Sequence, residues 1–120
     1  MNTILTVDDS ASMRQMVAYT LREAGFEVAE AADGQQALEI AQKQAFKLVL
    51  ADVNMPRMDG ISLIRELRNL PNYKFTPLLM LTTESSMDRK MEGKAAGATG
   101  WIVKPFDPAQ LVNTVNRVLS

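Results

Sequence analysis

Three acidic residues follow short apolar runs and are the first candidates for chemistry. Asp8 and Asp9 come directly after Ile4–Val7, and Asp52 comes after Leu48–Ala51. An aspartate at such a junction often only caps a following helix. That interpretation does not suit Asp52, because the sequence that follows it, Val53-Asn54-Met55-Pro56, begins no helix. This acid therefore needs another partner.

Carboxylates that converge need a positive partner. If the strands before them are neighbours, two charges about 4 Å apart repel by about 4 kcal/mol at an effective dielectric constant of 20. Mg²⁺ prefers oxygen ligands and keeps part of its water shell. We therefore expect Mg²⁺ bound by Asp9, Asp52 and the backbone carbonyl of Asn54, with Asp8 bound directly or through water.

Different polar groups follow two later apolar runs. Leu78–Leu81 precedes Thr82, and Trp101–Val103 precedes Lys104. On its own, a threonine at the end of a strand is usually structural, and a lysine there is usually solvated. Beside carboxylates and a divalent cation, however, a hydroxyl and an ammonium group complete what a phosphoryl group requires. The sequence predicts a phosphoryl site, and its spacing leaves open whether the bond from Lys104 to Pro105 is cis or trans.

The amino-acid composition excludes several kinds of catalytic and binding site. The 120 residues include 13 Lys and Arg, 14 Asp and Glu, and no His or Cys. Zinc sites of the usual kind, disulfides and imidazole catalysis are thereby excluded. A net charge of -1 provides no positive field for nucleic acid, and no apolar run approaches membrane-spanning length. We expect one cytoplasmic domain over residues 1–120, without membrane insertion.

Five short apolar runs alternate with segments of helical periodicity. Because the runs are continuous, they are expected to be strands buried on both faces. The predicted strands are Thr3–Val7, Glu27–Ala31, Leu48–Ala51, Leu78–Leu81 and Trp101–Val103.

The first two helical segments carry boundary signals. The first is expected to end at Gly25, and the second to begin with Asp33 as its cap and Gln36 three residues later. The residues predicted to face inward are Met13, Met16, Val17, Thr20, Leu21 and Ala24 in the first helix, and Ala37, Leu38, Ala41 and Ala45 in the second.

The sequence signals for the later helices differ in strength. The third is expected to start after Asp59 and to end before Pro71, and the fifth to start with Asp107 as cap, Pro108 and a capping box completed by Gln110. The fourth, Ser86–Ala96, has a weak stripe and is expected to be lightly anchored. The predicted inward residues are Ile61, Ile64 and Leu67 in the third helix, Met87, Met91 and Ala95 in the fourth, and Leu111, Val115, Val118 and Leu119 in the fifth.

Alternating strands and helices define the expected fold. Parallel neighbours need crossover connections, and those connections place helices on both faces of the sheet. The prediction is an α/β fold, a single-domain three-layer αβα sandwich around a doubly wound parallel sheet. Function is expected in the crevice at the carboxyl ends of the strands.

Several motifs together resemble a known family. Asp8-Asp9, the block from Asp52 to Gly60, Thr82 and Lys104-Pro105-Phe106 resemble the receiver domain of two-component response regulators over nearly the whole chain. The resemblance implies the strand order 2-1-3-4-5. The motif Asp-x-Asn-Met-Pro-x-Met-Asp-Gly, and a sequence that extends no further than the fifth helix, look like the free-standing chemotaxis regulators of the CheY type.

The resemblance also implies roles for the site residues. Asp52 would accept a phosphoryl group from a histidine on a partner kinase, and Asp8 and Asp9 would hold Mg²⁺. Lys104 would pair with Asp52 and then with the phosphoryl oxygen, while Thr82 would move to donate a hydrogen bond to it. The protein would then be a stoichiometric acceptor rather than an enzyme.

Further implications concern phosphoryl lifetime and partners. Asn54 and Glu84 occupy the two positions that tune that lifetime in the family. The expected partners are a chemotaxis-type histidine kinase, the flagellar motor switch or another protein target, and a phosphatase.

Trp101 departs from the family pattern, in which the switch aromatic on the fifth strand is usually Tyr or Phe. It either swings with Thr82 or simply packs against the last two helices. We also expect Lys90, Lys94 and Trp101 to form a state-dependent output face, the alternative being a solvated charged surface.

Three alternatives remain at this point. A phosphohydrolase of the haloacid dehalogenase kind would place a second acid where Asn54 stands. A flavin-binding module would have its cofactor phosphate repelled by Asp8 and Asp9. A stand-alone receiver in another pathway, acting as a phosphate sink or an adaptor, differs from a chemotaxis regulator only in its partners.

Overall fold

The computed structural model describes residues 3–55, 58–83 and 87–120. Five strands each precede a helix, and a short 3₁₀ turn, Pro71–Tyr73, lies between the third helix and the fourth strand. The elements are β1 (Thr3–Val7), α1 (Ala11–Glu23), β2 (Glu27–Ala31), α2 (Gly34–Lys43), β3 (Leu48–Asp52), α3 (Gly60–Arg68), β4 (Leu78–Thr82), α4 (Met87–Ala96), β5 (Gly100–Val103) and α5 (Pro108–Leu119). No helix within these ranges is long and apolar enough to cross a membrane.

The strands form one parallel sheet in the order β2-β1-β3-β4-β5. This confirms the predicted doubly wound fold and the strand order implied by the resemblance. Val7 lies beside Ala51 in the register of β1 and β3, and Asp52 lies beside Leu81 in that of β3 and β4. The central strands therefore end level with one another, and the residues that follow them meet at one edge.

Alternate side chains of the central strands enter two separate cores. Leu5, Val49 and Met80 pack on the face covered by α2, α3 and α4, whereas Leu50 and Leu79 pack under α1 and α5. Both faces are apolar, so these strands lack polar alternation, as predicted. The two cores hold the sheet rigidly between helical layers and fix the carboxyl edge in place.

The outer strands differ from the prediction of burial on both faces. Glu27 is exposed at the start of β2, and Trp101 and Val103 are exposed on β5. Both strands are edges of the sheet, so each has a strand neighbour on one side and is less completely covered by helices. Sequence periodicity did not distinguish these short edge strands from central ones.

The helix stripes were predicted correctly in part. Residues predicted to face inward are exposed at six positions: Met16, Ala24, Ala45, Met87, Met91 and Ala95. The physical reason in α4 is that its small residues, Gly93 and Ala96, face the core instead. A Cβ added at Gly93 would lie 2.2 Å from the Met80 sulfur, so this helix packs closely through a glycine.

The helix starts confirm the expected cap at Asp33 and add one at Asp59, which was expected only to precede the third helix. Asp33 accepts a hydrogen bond from the Gln36 backbone, and Asp59 accepts one from the backbone of Ser62. At α5, however, the Asp107 side chain makes no capping hydrogen bond, so the predicted capping box is not formed. That carboxylate is exposed to solvent, so burial does not force it to take a protein partner.

The peptide bond between Lys104 and Pro105, for which the sequence left both isomers open, is cis.

Tyr73 closes the carboxyl end of α2. Its buried hydroxyl lies 2.8 Å from the Ala41 carbonyl oxygen and 2.7 Å from that of Gln44, and donates to these two acceptors. Burial raises the pKa of the hydroxyl above its ordinary value of 10.0, against a smaller lowering by a backbone hydrogen bond from Phe46. The neutral phenol is therefore the form that the folded state favours.

We expect Tyr73→Phe to lower the free energy of unfolding by about 1–2 kcal/mol at neutral pH, because the carbonyls of Ala41 and Gln44 lose the donor that they share. A raised pKa means that the folded protein binds this proton more tightly than the unfolded chain. The wild type should therefore lose additional stability as pH rises above the ordinary tyrosine pKa of 10.0, whereas the variant should lose less. Urea titrations between neutral and alkaline pH measure both effects.

Tyr19 provides the matched control, since its side chain is 66% exposed. Tyr19→Phe should leave the stability at neutral pH unchanged. If the two variants were equally stable at neutral pH, or if Tyr73→Phe kept the alkaline dependence of the wild type, the role assigned to the buried hydroxyl would be wrong.

Candidate functional site

Three carboxylates meet at the carboxyl edge of the sheet. Asp8 follows β1 and Asp52 ends β3, and these strands are direct neighbours. Asp8, Asp9 and Asp52 each place a carboxylate oxygen within 4.8 Å of the others. Asp8 and Asp52 are buried, whereas Asp9 is exposed at the mouth of the cluster. The structure thus brings together the three acids that the sequence singled out.

Lys104 bridges the two buried acids. Its Nζ lies 3.0 Å from Asp52 Oδ1 and 3.3 Å from Asp8 Oδ2. The Lys104 backbone donates to the Thr82 carbonyl at 2.7 Å, which places the start of the lysine side chain beside the end of β4. The ammonium group therefore reaches the cluster from a strand two positions away from β3.

The position of Asp8 is fixed by contacts that sequence reasoning missed. Asp8 Oδ1 accepts a hydrogen bond from the Ser10 backbone at 3.0 Å, and Ser10, rather than either acid, is the N-cap of α1. Arg14 donates to the Asp8 carbonyl oxygen at 2.8 Å and forms an ion pair with Glu30 at 3.2 Å. The opposite charges of Arg14 on α1 and Glu30 on β2 were a signal that the sequence contained. They could not show that Arg14 also contacts the Asp8 carbonyl, because every residue has a backbone carbonyl.

The electrostatics of the cluster favour a further positive charge. Burial raises the pKa of Asp52, and the negative charges of Asp8 and Asp9 add to this effect. The hydrogen bond and charge of Lys104 oppose it, without reversing the direction. With every group ionised, three carboxylates and one ammonium leave two negative charges uncompensated. A divalent cation that prefers oxygen ligands matches both that charge and the donor atoms present.

Thr82 completes this edge of the sheet. It ends β4 and its side chain is buried, one residue beyond Leu81, the register partner of Asp52. Asn54 lies two residues past Asp52 and is exposed. Glu84, the other residue expected to affect phosphoryl lifetime, lies outside the described residues.

Gly60 is a further site residue that the sequence analysis did not identify as one. A Cβ added there would lie 2.3 Å from the Asp52 carbonyl oxygen and 2.9 Å from the Val53 Cα. The Gly60 backbone also donates to the Val53 carbonyl at 3.0 Å. The first residue of α3 therefore contacts the backbone that carries Asp52, and a side chain would separate the two.

The expected output residues are partly brought together. Lys90 on α4 places its Nζ 5.0 Å from the centre of the Trp101 ring on β5, within range of a cation–π interaction. Trp101 is 40% exposed. Lys94 is exposed on the same helix as Lys90, and among the described residues the cation–π contact to the tryptophan is made by Lys90.

Comparison with known proteins identifies the family. Residues 4–116 match the response regulator receiver domain family, and the chain belongs to that family. It is therefore the receiver domain of a two-component response regulator. Receiver domains accept phosphoryl groups from histidine kinases and bind Mg²⁺ at an acidic pocket.

The similar proteins have different names and roles of their own. The chain is similar to the chemotaxis protein CheY4 of Vibrio cholerae, with 56% identity, 98% of each chain covered and a TM-score of 0.96. A response regulator from Burkholderia multivorans is 49% identical, with 100% and 96% coverage and a TM-score of 0.83. The transcriptional regulatory protein SrrA of Staphylococcus aureus is 38% identical over 98% of this chain and 48% of its own length. The chain thus spans about half the length of the curated relatives it matches.

Proposed function

We propose that this receiver domain is a phosphorylation-dependent signalling switch with Asp52 as its phospho-acceptor. The observation that carries the proposal is the Lys104 ammonium, which contacts Asp52 and Asp8 at the carboxyl edge of the sheet. A phosphoryl group on Asp52 would add its charge beside that cation. Asp52 is also the acid whose burial and neighbours make ionisation costly.

The transfer proceeds by nucleophilic displacement. An Asp52 carboxylate oxygen attacks phosphorus, the bond from phosphorus to the donor histidine nitrogen breaks, and an acyl phosphate forms. The electron pair of the broken bond returns to the imidazole. Lys104 then shifts from the carboxylate to a phosphoryl oxygen, and the Thr82 hydroxyl donates a hydrogen bond to another. Hydrolysis of the acyl phosphate restores Asp52, so the chain acts as a stoichiometric acceptor and not as an enzyme with a separate substrate.

Mg²⁺ would be held by Asp8, Asp9, Asp52 and the backbone carbonyl of Asn54. When bound it supplies the positive charge that offsets the carboxylates and the incoming phosphoryl oxygens. Asp9 suits capture of the ion because it is the exposed member of the cluster. Asn54 and Glu84 are proposed to set the lifetime of the acyl phosphate.

A direct test is reaction of the purified protein with acetyl phosphate and Mg²⁺, followed by borohydride reduction and mass mapping of the modified residue. The expected adduct is on Asp52, and its formation should require Mg²⁺. An adduct on any other residue would overturn the assignment of the acceptor.

The proposed output face consists of Lys90, Lys94 and Trp101, beside a helix that packs through small residues. Phosphorylation is proposed to move Thr82 and to change the packing of Trp101, which alters the surface offered to partners. The chain contains one tryptophan, so its fluorescence reports this change. We expect Mg²⁺ with beryllofluoride to shift the emission of Trp101, and Lys90→Ala to change the emission of the free protein.

Lys94→Ala serves as the control, because the cation–π contact with the ring in the described residues is made by Lys90 and not by Lys94. It should leave the emission of the free protein unchanged. If calorimetry shows that beryllofluoride binds and the emission of Trp101 does not change, Trp101 is not part of the switch.

Chemotaxis is the pathway that we propose, on the basis of the 56% identity to a chemotaxis protein over 98% of both chains. The partners would be a chemotaxis-type histidine kinase, a phosphatase, and the flagellar motor switch as the target. The similarity to SrrA favours a transcriptional pathway as the second candidate. Faster phosphotransfer from a chemotaxis kinase than from a sensor kinase of a transcriptional system would support the first.

A further inference from the structure

The end of the sheet opposite Asp52 carries an unusual aromatic side chain. Phe75 is 89% exposed, more than any other large apolar residue in the described part of the chain. It lies in the loop between the 3₁₀ turn and β4. Single exposed apolar residues are common and need no explanation on their own. The environment of Phe75 is what distinguishes it.

Arg68 fixes the loop that presents Phe75. Its Nη1 donates to the carbonyls of Tyr73 at 2.6 Å and Thr76 at 2.7 Å, on either side of Phe75. Its Nε donates to the Gly97 carbonyl at 2.8 Å, which ties the loop to the end of α4. The backbone around the exposed ring is therefore held by charge-assisted hydrogen bonds. A ring on a fixed backbone loses less conformational entropy when it binds a partner.

A groove of about 380 Å³ opens beside this ring. We call it the Phe75 groove and define it by Phe46, Lys47, Pro71, Phe75 and Pro77, which are among its lining residues. Most of these side chains are apolar, and the two prolines restrict their backbone. The groove therefore offers a largely preformed site for one or two apolar side chains.

Positive charge surrounds the Phe75 groove. Lys47 lines it, and Lys74 places its Nζ 5.7 Å from the centre of the Phe75 ring. The segments that supply the lining, residues 45–47 and 71–77, contain two lysines and no Asp or Glu. In a chain with a net charge of -1, this local excess favours an acidic partner.

We propose that the Phe75 groove binds a short acidic segment of a partner protein. The segment would insert an aromatic or aliphatic side chain beside Phe75 and place carboxylates near Lys47 and Lys74. A second copy of this chain would bring the same lysines against each other in a two-fold contact, which disfavours self-association. Two lysines are too few to hold nucleic acid against the overall negative charge.

The position of the groove predicts constitutive binding. Lys47 directly precedes β3 and Asp52 ends it, so the two sites are separated by the length of the strand, about 16 Å at 3.3 Å per residue. Binding here should therefore proceed whether or not Asp52 carries a phosphoryl group. Such a site would keep the receiver near one partner while its other end signals to another.

The test is selection of a phage-displayed library of random 12-residue peptides on the purified protein, with counter-selection on Phe75→Ser. The enriched peptides are expected to be acidic and to contain an aromatic or aliphatic anchor. The best of them, made synthetically, should bind the wild type at least tenfold more tightly than Phe75→Ser or the double variant Lys47→Glu/Lys74→Glu. Binding should also weaken with added salt.

Met91→Ser and Lys94→Glu are matched controls, since both residues are exposed on α4 at a different surface. They should leave the peptide affinity within twofold of the wild type. Peptides without an acidic excess, equal binding to Phe75→Ser, or self-association that this variant abolishes would each overturn the proposal. So would a change in affinity of more than tenfold on addition of Mg²⁺ and beryllofluoride.

Labelling of Asp52 by acetyl phosphate is measured on the same variants. It should be unchanged in Phe75→Ser, so loss of peptide binding and failure of the proposed phosphorylation are separate results.

Discussion

Asp52→Asn is expected to reduce phosphoryl labelling by acetyl phosphate to less than about one hundredth of the wild-type rate, because the variant lacks the attacking carboxylate. The same change should raise the free energy of unfolding by about 1 kcal/mol in the absence of Mg²⁺. Burial and the charges of Asp8 and Asp9 raise the pKa of Asp52, so its ionised form is costly in the folded protein. An amide of the same shape removes that cost, while Lys104 keeps its contact with Asp8.

Mg²⁺ should narrow this difference in stability between Asp52→Asn and the wild type. A cation that binds only the folded protein stabilises it by about 1.4 kcal/mol at a concentration ten times its dissociation constant. We expect this gain in the wild type and a smaller one in Asp52→Asn, which provides one carboxylate fewer. Radiolabelling and urea unfolding with and without Mg²⁺ measure the two effects.

Asp107→Asn is the control for the loss of a negative charge. Asp107 is exposed and makes no capping hydrogen bond with its side chain, so labelling and stability should both match the wild type. Labelling of Asp52→Asn at the wild-type rate would contradict the proposed acceptor, and a loss of stability would contradict the electrostatic account of its burial.

The predictability of this site from sequence follows from the topology of the fold. A parallel sheet places every strand end at one of two edges, so an acid after one central strand and an acid after its neighbour must lie close together. Asp8 and Asp52 could therefore be paired before any coordinates were known, once the strands were assumed to be adjacent. Lys104 was placed in the same way, since it follows β5 at the same edge.

The parts that sequence did not predict depend on packing between elements. Met87 and Met91 have helical spacing and apolar side chains, yet they face solvent because Gly93 allows α4 to approach Met80 through its other face. Hydrophobic periodicity gives weight to large side chains and none to glycine. A helix that packs through its smallest residue is therefore assigned the wrong inward face.

Arg68 illustrates a second limit. Its guanidinium contacts carbonyls of Tyr73, Thr76 and Gly97. Every residue has a backbone carbonyl, so the sequence does not show which of them an arginine contacts. Charge pairing along the chain predicts carboxylate partners for an arginine. It cannot predict that Arg68 instead stabilises the loop on which the proposed Phe75 groove depends.

Gly60→Ala is expected to have the largest structural effect of any single methyl addition near the site. The new Cβ would meet the Asp52 carbonyl oxygen at 2.3 Å and the Val53 Cα at 2.9 Å. Both are backbone atoms in the middle of the sheet edge, so neither can move aside as a side chain would. Either α3 moves outward or the end of β3 shifts. Overpacking of this kind lowers the free energy of unfolding by about 1–3 kcal/mol. Because the atoms in the way belong to the backbone, we expect Gly60→Ala to lie at the upper end of that range.

The displacement should also affect phosphorylation. Asp52 contacts Lys104 at 3.0 Å, and a shift of its backbone by a fraction of an ångström changes that contact and the approach of the phosphoryl donor. We expect labelling by acetyl phosphate to fall by about tenfold or more, since reacting groups tolerate little misplacement. Urea unfolding and the initial labelling rate, measured at a temperature where the variant is fully folded, separate lost stability from lost geometry.

Gly100→Ala is the matched control, because a Cβ there would meet only the Leu79 side chain at an ordinary 3.6 Å. It should change the free energy of unfolding by less than about 1 kcal/mol and leave the labelling rate unchanged. If Gly60→Ala behaved in the same way, the contact between α3 and the Asp52 backbone would not position the acceptor. A labelling defect in Gly60→Ala at wild-type stability would instead show that the glycine acts on geometry alone, through the carbonyl next to the reacting side chain.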